Sequence, residues 1–275
     1  MRELPRMMSV FEARCEIDGE TATAAALAVV ARFNHGHFTS LQVRGGAARG
    51  LDLHLARLSD ATRTLYGATL EHERVRDLLR HALHGLADAS ARISVFATNW
   101  NVASMAFPTR VSVLINVQPP AVADRRPLRL RCVEHERFLP QIKHVGTFPL
   151  LQLRAAARRD GFDDVLFFDR HGNISEGTVW NIGFRDGERI VWPDAAQLRG
   201  ISMQLLEQGL ARAGLVSERR TIPRDALSGL SAAFVCNASG VGQPVASIDD
   251  IPFAQHEHFT RTLIDCYESN PWQTI

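Results

Sequence analysis

The sequence predicts an α+β fold for this chain of 275 residues. Segments with β-strand character occur in pairs around tight turns, and single amphipathic helices follow them. The regular alternation of strand and helix that builds a parallel sheet does not occur. Apolar residues make up 45% of the chain and charged residues 22%, which is the composition of a globular protein with a substantial core.

The first part of the chain combines strands with two helices. The segment 51–66 is predicted to be a helix, because its leucines recur at roughly helical spacing and Gly67 follows them. The segment 38–43 is predicted to be a strand that ends at the Gly45-Gly46 turn. Further elements of this part are a predicted helix at 75–86 and predicted strands at 91–96 and 110–117.

The proline-rich segment 119–127 is predicted to be a linker. We therefore expect a small N-terminal α/β domain at 1–118 and a larger C-terminal domain at 128–275. In the second domain, the patterns predict helices at 150–159 and 201–213 and strands at 128–132, 165–168, 174–178, 180–184, 189–192 and 232–236.

Charge, cysteine and histidine patterns exclude several classes of function. A net charge of +1 gives no overall electrostatic attraction to nucleic acid or to an anionic membrane surface. The longest apolar run, 24–31, is too short to span a bilayer. The four cysteines form no CxxC pair, and the His35-Gly-His37 and His256-Glu-His258 pairs lack a third ligand, so we expect no metal site. The first residues show no signal-peptide pattern, so we expect a cytoplasmic protein.

The basic residues are the most informative feature of the composition. Of the 31 lysines and arginines, 30 are arginine, and the single lysine is Lys143. Where any cation would serve, the chain uses arginine, so Lys143 is predicted to do what arginine cannot. A primary amine can lose its proton and form an imine, whereas a guanidinium stays protonated.

Four segments around Lys143 resemble the motifs of one family. They are His54-Leu-Ala-Arg57-Leu58, the stretch 161–181 with its Glu176 and Asn181, Leu198-Arg-Gly-Ile-Ser202, and the strand and loop 234–245. In order and spacing they are similar to the class IV aminotransferases, the fold-type IV pyridoxal-phosphate enzymes, from about Phe33 to Ile251. That resemblance implies a two-domain fold with a pseudo-barrel-like C-terminal domain.

The resemblance also implies a role for each matching residue. Lys143 would form the Schiff base with pyridoxal 5'-phosphate, and Ile142-Lys-His144 resembles the corresponding sequence of aminodeoxychorismate lyases. Glu176, 33 residues later, would pair with the pyridine nitrogen and keep it protonated. The residues implied to hold the phosphate and the rest of the cofactor are Arg57, Leu198, Ile201, Ser202, Asn237 and Ala238.

Two reactions remain open within the family. We favour an aminotransferase acting on an amino acid or amine and a keto acid, because most members are aminotransferases. The alternative is an aminodeoxychorismate lyase that releases pyruvate and 4-aminobenzoate, because Gly36-His-Phe38-Thr39 and Cys236-Asn-Ala238 look more like that branch. Phe38 and Thr39 are assigned to substrate binding, and the resemblance implies a homodimer.

The sequence departs from both branches in two places. Gly146 replaces the asparagine common three residues after the lysine, and the Arg-Gly pair that binds a substrate carboxylate in some members is missing near Ala97-Thr98. A third possibility is a catalytically silent member that acts as a binding protein. The retention of Lys143, Glu176 and Arg57 together argues against it.

Overall fold

The computed structural model describes residues 13–100 and 110–275. In chain order the strands are β1 (Arg14–Ile17), β2 (Glu20–Thr21), β3 (Gly36–Arg44), β4 (Ala47–Arg49), β5 (Ala89–Ala97), β6 (Val111–Gln118), β7 (Leu128–Glu134), β8 (Asp164–Phe168), β9 (Ile174–Gly177), β10 (Asn181–Asp186), β11 (Arg189–Pro193), β12 (Ser217–Arg220), β13 (Ala232–Asn237), β14 (Gly240–Ile248), β15 (Ile251–Pro252) and β16 (Trp272–Thr274). The α-helices are α1 (Ala24–Phe33), α2 (Leu51–Tyr66), α3 (His72–Ala82), α4 (Phe148–Arg159), α5 (Ile201–Arg212) and α6 (Glu257–Glu268).

The first sheet is antiparallel, with the strand order β16-β4-β3-β5-β6-β1-β2. Helices α2 and α3 cover one face, where Leu41 and Val43 of β3 pack against Leu55 and Leu58 of α2 in a common core. The predicted helix at 51–66 is confirmed with its bounds. The helix predicted at 75–86 is α3, which starts at His72 and ends at Ala82, because the chain then turns toward Gly85 at φ +76°.

The other face of the first sheet is polar along two neighbouring strands. Because side chains alternate between the faces of a strand, Ser40 and Gln42 of β3 point away from the leucine core, as do Ser90, Arg92 and Ser94 of β5. This face borders the two cavities described below.

The second sheet is mixed, with the order β12-β11-β10-β13-β14-β7-β8-β9 and β15 on the edge of β14. Strand β9 also pairs with β10 through Glu176 and Asn181, which brings the strands β10, β13, β14, β7, β8 and β9 back on themselves as a pseudo-barrel. Its interior holds Leu166, Ile182 and Val235, among other apolar side chains. Helices α5 and α6 pack together outside it.

Several elements were not predicted. Strand β14 carries Gly240, Gly242 and Pro244, which indicate a loop when only the sequence is considered. Strand β16 is only three residues long and pairs with β4, although it follows the second sheet in the chain. Division of the chain into two domains at 119–127 stays a prediction. No helix in the described part of the chain is long and apolar enough to cross a membrane.

Candidate active site

A cavity of about 340 Å³ lies where the first sheet meets the second. It brings together residues that are far apart in the chain. Of the predicted site residues, those that line it are Phe38, Arg57, Lys143, Glu176, Leu198, Ile201, Ser202, Asn237 and Ala238. Thr39 is the predicted site residue that does not line it.

Strand β3 fixes the backbone around Lys143. The Phe38 N–H donates to the carbonyl of Lys143 at 2.9 Å, and the Val145 N–H donates to the carbonyl of Gly36 at 2.9 Å. Gly36 has no room for a side chain, since a Cβ there would lie 2.6 Å from the carbonyl oxygen of Val95. Lys143 thus sits in a segment that is hydrogen-bonded to β3, five residues before Phe148, where α4 begins, and its side chain lines the cavity.

The acidity of the Lys143 ammonium group is strongly altered in this cavity. Burial, reinforced by the nearby charges of Arg57 and Arg137, lowers the pKa of Lys143 to about 7, while Glu176 acts in the opposite direction. A substantial fraction of the amine is therefore neutral at neutral pH. A neutral amine is the nucleophilic form, which fits the expectation that this lysine reacts with a carbonyl group.

Glu176 lies on β9 and is almost completely buried. Its Oε1 accepts hydrogen bonds from the Leu198 N–H at 3.1 Å and from Nη1 of Arg137 at 3.3 Å. Burial raises the pKa of Glu176, and the charge of Arg137 and the bond from Leu198 oppose that rise. The carboxylate is thus held in place by two donors and faces the same cavity as Lys143.

Arg137 is a site residue that the sequence reasoning missed. It lies in the loop between β7 and α4, and its Nη2 donates to the carbonyl of Ile142 at 3.1 Å, next to Lys143. Its side chain is 8% exposed. One arginine among thirty gives no signal in the sequence, and only the fold turns Arg137 toward Glu176.

Three elements bring Arg57, Ile201, Ser202, Asn237 and Ala238 to the wall of the cavity, and we call this group of residues the anion cup. Helix α5 begins at Ile201 with its free backbone N–H groups directed at the cavity, a favourable place for an anion. The hydroxyl of Ser202 donates to the carbonyl of Asn237 at 2.8 Å, which joins the start of α5 to the end of β13.

Arg57 reaches the anion cup from α2 in the first half of the molecule. Its Nη2 donates to the carbonyl of Arg199 at 3.3 Å, just before α5. Burial and the charge of Arg137 lower the pKa of Arg57 to about 10, so it remains a cation at neutral pH. Asn181 completes the turn before α5, because its amide donates to the carbonyl of Leu198 at 2.8 Å.

Thr39 lies behind the cavity. Its buried hydroxyl hydrogen-bonds Nδ1 of His54 at 2.6 Å and accepts from Nη1 of Arg57 at 3.5 Å. Burial, together with the charges of Arg57 and Lys143, lowers the pKa of His54 well below its usual value, so the imidazole is neutral. Thr39 therefore contacts the cavity wall through His54 and Arg57, and its assignment to substrate binding stays a prediction.

Arg92 was also missed by the sequence reasoning. Its guanidinium carbon lies 3.6 Å from the centre of the Phe38 ring, and the Lys143 amine lies 5.0 Å from the same centre. Arg92 borders both the first cavity and a second one of about 740 Å³. Ser40 is shared in the same way, and Asn116 adds a further polar group to the second cavity.

The charges of the first cavity are unbalanced. Arg57, Arg92, Arg137 and Lys143 surround one carboxylate, that of Glu176. The side chain of Arg137 is buried and Arg57 and Lys143 are partly buried, whereas Arg92 is exposed. Cations that are withdrawn from water need counter-charges, so the cavity suits a ligand with more than one anionic group. Within 13–100 and 110–275, no group of three or more His, Cys, Asp or Glu residues is placed to hold a metal ion.

The site is thus a cavity lined by several cations, with a single amine of lowered pKa. A family model described as amino-transferase class IV matches residues 36–248. Because this match spans well over half of the sequence, the chain belongs to the class IV aminotransferase family. Members of the family are pyridoxal-phosphate-dependent transaminases and lyases. A comparison with curated protein sequences gives no match.

Solved structures share the fold at low sequence identity. The branched-chain aminotransferase from Thermoproteus uzoniensis is 17% identical, with a TM-score of 0.82 over 94% of each chain. The branched-chain amino acid aminotransferase from Escherichia coli is 17% identical, with a TM-score of 0.79 over 92% of each chain. The 4-amino-4-deoxychorismate lyase from Pseudomonas aeruginosa is 24% identical, with a TM-score of 0.78 over 91% of this chain and 97% of the lyase.

These likenesses confirm the predicted fold class. The architecture is the fold-type IV structure, with an antiparallel N-terminal sheet and a mixed C-terminal pseudo-barrel flanked by helices.

Proposed function

We propose that this chain is a pyridoxal-phosphate-dependent aminotransferase that moves an amino group between an amino acid or amine and a keto acid. The observation that carries the proposal is Lys143, the only lysine of the chain, which lines the same cavity as Glu176 and has a pKa of about 7. Such an amine reacts with an aldehyde at neutral pH, which an ordinary surface lysine does poorly.

The cavity residues fit pyridoxal phosphate. The anion cup would hold the phosphate through the Arg57 guanidinium and the free N–H groups at the start of α5. Glu176 would accept a hydrogen bond from the pyridine N–H, and Arg137 holds that carboxylate in place while its charge favours the ionised form. When bound, the cofactor withdraws electrons from the bonds at the substrate Cα.

Lys143 and Arg92 would act on the substrate. Lys143, once free and neutral, can take the proton from the substrate Cα and return it elsewhere, because its pKa lies near the working pH. Arg92, at the border of the two cavities, would bind a substrate carboxylate and so replace the Arg-Gly pair missing near Ala97-Thr98.

An aminodeoxychorismate lyase is the second candidate. The sequence has Thr39 where the aminotransferases usually carry glutamate, and Thr39 is held beside Arg57 rather than exposed to solvent. The polar side chains of Ser40 and Asn116 around Arg92 also suit a polar, anionic substrate better than an aliphatic one.

Borohydride reduction tests the shared part of both candidates. Protein incubated with pyridoxal phosphate and reduced should carry a pyridoxyl group on the peptide that contains Lys143. The Lys143→Arg variant keeps a cation at this position and should carry none. Absence of an adduct on the unaltered protein would leave a catalytically silent member of the family as the remaining interpretation.

A product assay separates the two reactions. An aminotransferase should convert a keto acid such as 2-oxoglutarate to its amino acid at the expense of an amino donor. A lyase should instead release equal amounts of pyruvate and 4-aminobenzoate from aminodeoxychorismate. Release of these two products without amino transfer would overturn the aminotransferase proposal in favour of the lyase.

We also propose a homodimer of two-domain subunits. Phe148 and Leu151 at the start of α4 are 74% and 53% exposed, and Leu151 lines the mouth of the first cavity. Exposed apolar side chains at such a place suit a subunit contact. Sedimentation at micromolar concentration should give a dimer, and a monomer there would contradict the proposal.

A further inference from the structure

The anion cup is assembled from two halves of the molecule. Arg57 comes from α2, which packs on the first sheet, and Ser202 comes from α5, which packs beside the second. The two helices touch at their first residues, since a Cβ on Gly50 would lie 3.0 Å from Leu205 and 3.2 Å from Ile201. The relative position of α2 and α5 therefore decides whether the donors of the anion cup converge on one ligand.

Residues 267–275 connect these two helices. At one end of the segment, β16 pairs with β4, with Trp272 opposite Arg49. Gln273 binds the first turn of α2 in two ways: its amide donates to Oδ2 of Asp52 at 2.7 Å, and its oxygen accepts from the Asp52 N–H at 3.3 Å. The segment thus satisfies one of the free N–H groups at the start of the helix that carries Arg57.

At the other end, the same segment holds α5. The side chain of Asn270 is buried, and its amide donates to the carbonyl of Leu205 at 2.8 Å. Its oxygen accepts from Nη2 of Arg212, also on α5, at 2.8 Å. A buried side-chain amide with three satisfied groups is costly to displace, so this end of the segment is firmly anchored.

Arg49 joins the two ends. Its guanidinium carbon lies 4.1 Å from the centre of the Trp272 ring and 5.6 Å from that of Tyr267. The same side chain donates to the carbonyl of Asn270 at 3.0 Å and to that of Glu268 at 3.1 Å. Residues 267–275 are therefore folded around one arginine of the first sheet.

This arrangement lies directly behind the anion cup. A small cavity of about 20 Å³ is walled by Ser202 and Ala238 of the anion cup and by Arg49, Tyr267 and Trp272. Burial raises the pKa of Tyr267, while the charge of Arg49 and a hydrogen bond with Ser202 act against that rise. Tyr267 thus contacts Ser202, and Trp272 is connected to Tyr267 through the guanidinium of Arg49.

We propose that residues 267–275 form a clasp that sets the distance between the two halves of the anion cup, with Trp272 and Gln273 as positioning residues for the bound phosphate group. This inference rests on the proposed function, because it takes a phosphate group as the ligand of the anion cup. Thermodynamic linkage then requires the reverse effect. If closing the clasp raises the affinity for the ligand by some factor, ligand binding raises the equilibrium constant for closing the clasp by the same factor.

Titration of the apoprotein with pyridoxal phosphate tests the clasp by its effect on affinity. Trp272→Ala and Gln273→Ala should each raise the dissociation constant of the cofactor roughly tenfold, within the range of measured couplings. Trp272→Phe keeps an aromatic ring over Arg49 and should stay close to the unaltered protein. Gln255→Ala is a matched control, because Gln255 binds only the carbonyls of Val245 and Phe253 in the second half.

Hydrogen exchange provides a readout that does not depend on catalysis. The amides of β16 should exchange more slowly when the unaltered protein holds pyridoxal phosphate, and also when it holds inorganic phosphate alone. Cofactor affinity that is unchanged in both Trp272→Ala and Gln273→Ala would overturn the clasp. Unaltered protein that fails to bind pyridoxal phosphate would overturn the proposed function, whereas slower exchange of β16 with inorganic phosphate would still support the clasp.

Discussion

The guanidinium of Arg137 lies 3.3 Å from the carboxylate of Glu176, and both side chains are almost completely buried. The pair stands beside the only lysine, and Arg137 also holds the carbonyl of Ile142, the residue before it. A buried carboxylate without such a partner would take up a proton rather than stay charged. Arg137 therefore acts on both groups that the proposed chemistry needs, because its charge opposes the burial that raises the pKa of Glu176 and helps to lower the pKa of Lys143.

Arg137→Gln should move the acidic side of the activity profile to higher pH. Without the guanidinium the pKa of Glu176 rises further, and one of the charges that lower the pKa of Lys143 is lost. Both changes cause Glu176 and Lys143 to take up their protons at a higher pH. They therefore shift the acidic side of the profile in the same direction. The pH dependence of kcat/KM measures this. Arg131→Gln, at an exposed arginine paired with Asp160, is the control and should leave the profile in place.

Glu176→Gln should keep the cofactor and lose turnover. The amide oxygen can still accept from the Leu198 N–H and from Arg137, so the local shape is preserved. An amide cannot keep the pyridine nitrogen protonated, and we expect kcat to fall by about two orders of magnitude or more. Absorbance of bound cofactor and kcat are measured together, with Glu188→Gln on the surface as the control. Near-normal turnover would show that the essential acid lies elsewhere.

Lys143→Met should stabilise the apoprotein at pH 6. The pKa of Lys143 is about 7 in the folded state, whereas the ordinary pKa of a lysine is 10.5. Below pH 7 the lysine is therefore charged in both states, but in the folded protein this charge is withdrawn from water. The resulting decrease in the free energy of unfolding is complete below pH 7. It disappears as the pH rises from 7 to 10.5, because the unfolded state binds more protons than the folded state in that interval. Melting temperatures at pH 6 and pH 10 measure the difference, and a variant less stable than the unaltered protein at pH 6 would refute it.

Arg57→Ala should weaken cofactor retention more than it slows turnover. The anion cup loses its only guanidinium but keeps the N–H groups at the start of α5, so excess pyridoxal phosphate should restore part of the activity. Arg57→Lys should retain more cofactor than Arg57→Ala and less than the unaltered protein, because an ammonium group supplies charge without the planar pair of donors. Dialysis followed by cofactor absorbance measures retention. Arg63→Ala, at an exposed residue of the same helix, should retain cofactor normally.

The amino-acid sequence determined those features that depend on local pattern or on a unique residue. Helix α2 follows from leucines at helical spacing, which have to share one buried face, and its bounds match the prediction. Lys143 could be selected because it is the only residue of its kind. Glu176 could be selected because the stretch 161–181 resembles a motif of the family, which implies its role. Both line the cavity.

Tertiary structure alone decided the features that depend on contacts between distant segments. Arg92 and Arg137 are two arginines among thirty. They differ from most other arginines because β5 and the loop after β7 both reach the same cavity in the folded protein. Strand β16 has no strand pattern of its own and is ordered by hydrogen bonds to β4, more than two hundred residues earlier in the chain. Such pairings add their stabilisation only once the whole chain has folded, so no local preference in the sequence records them.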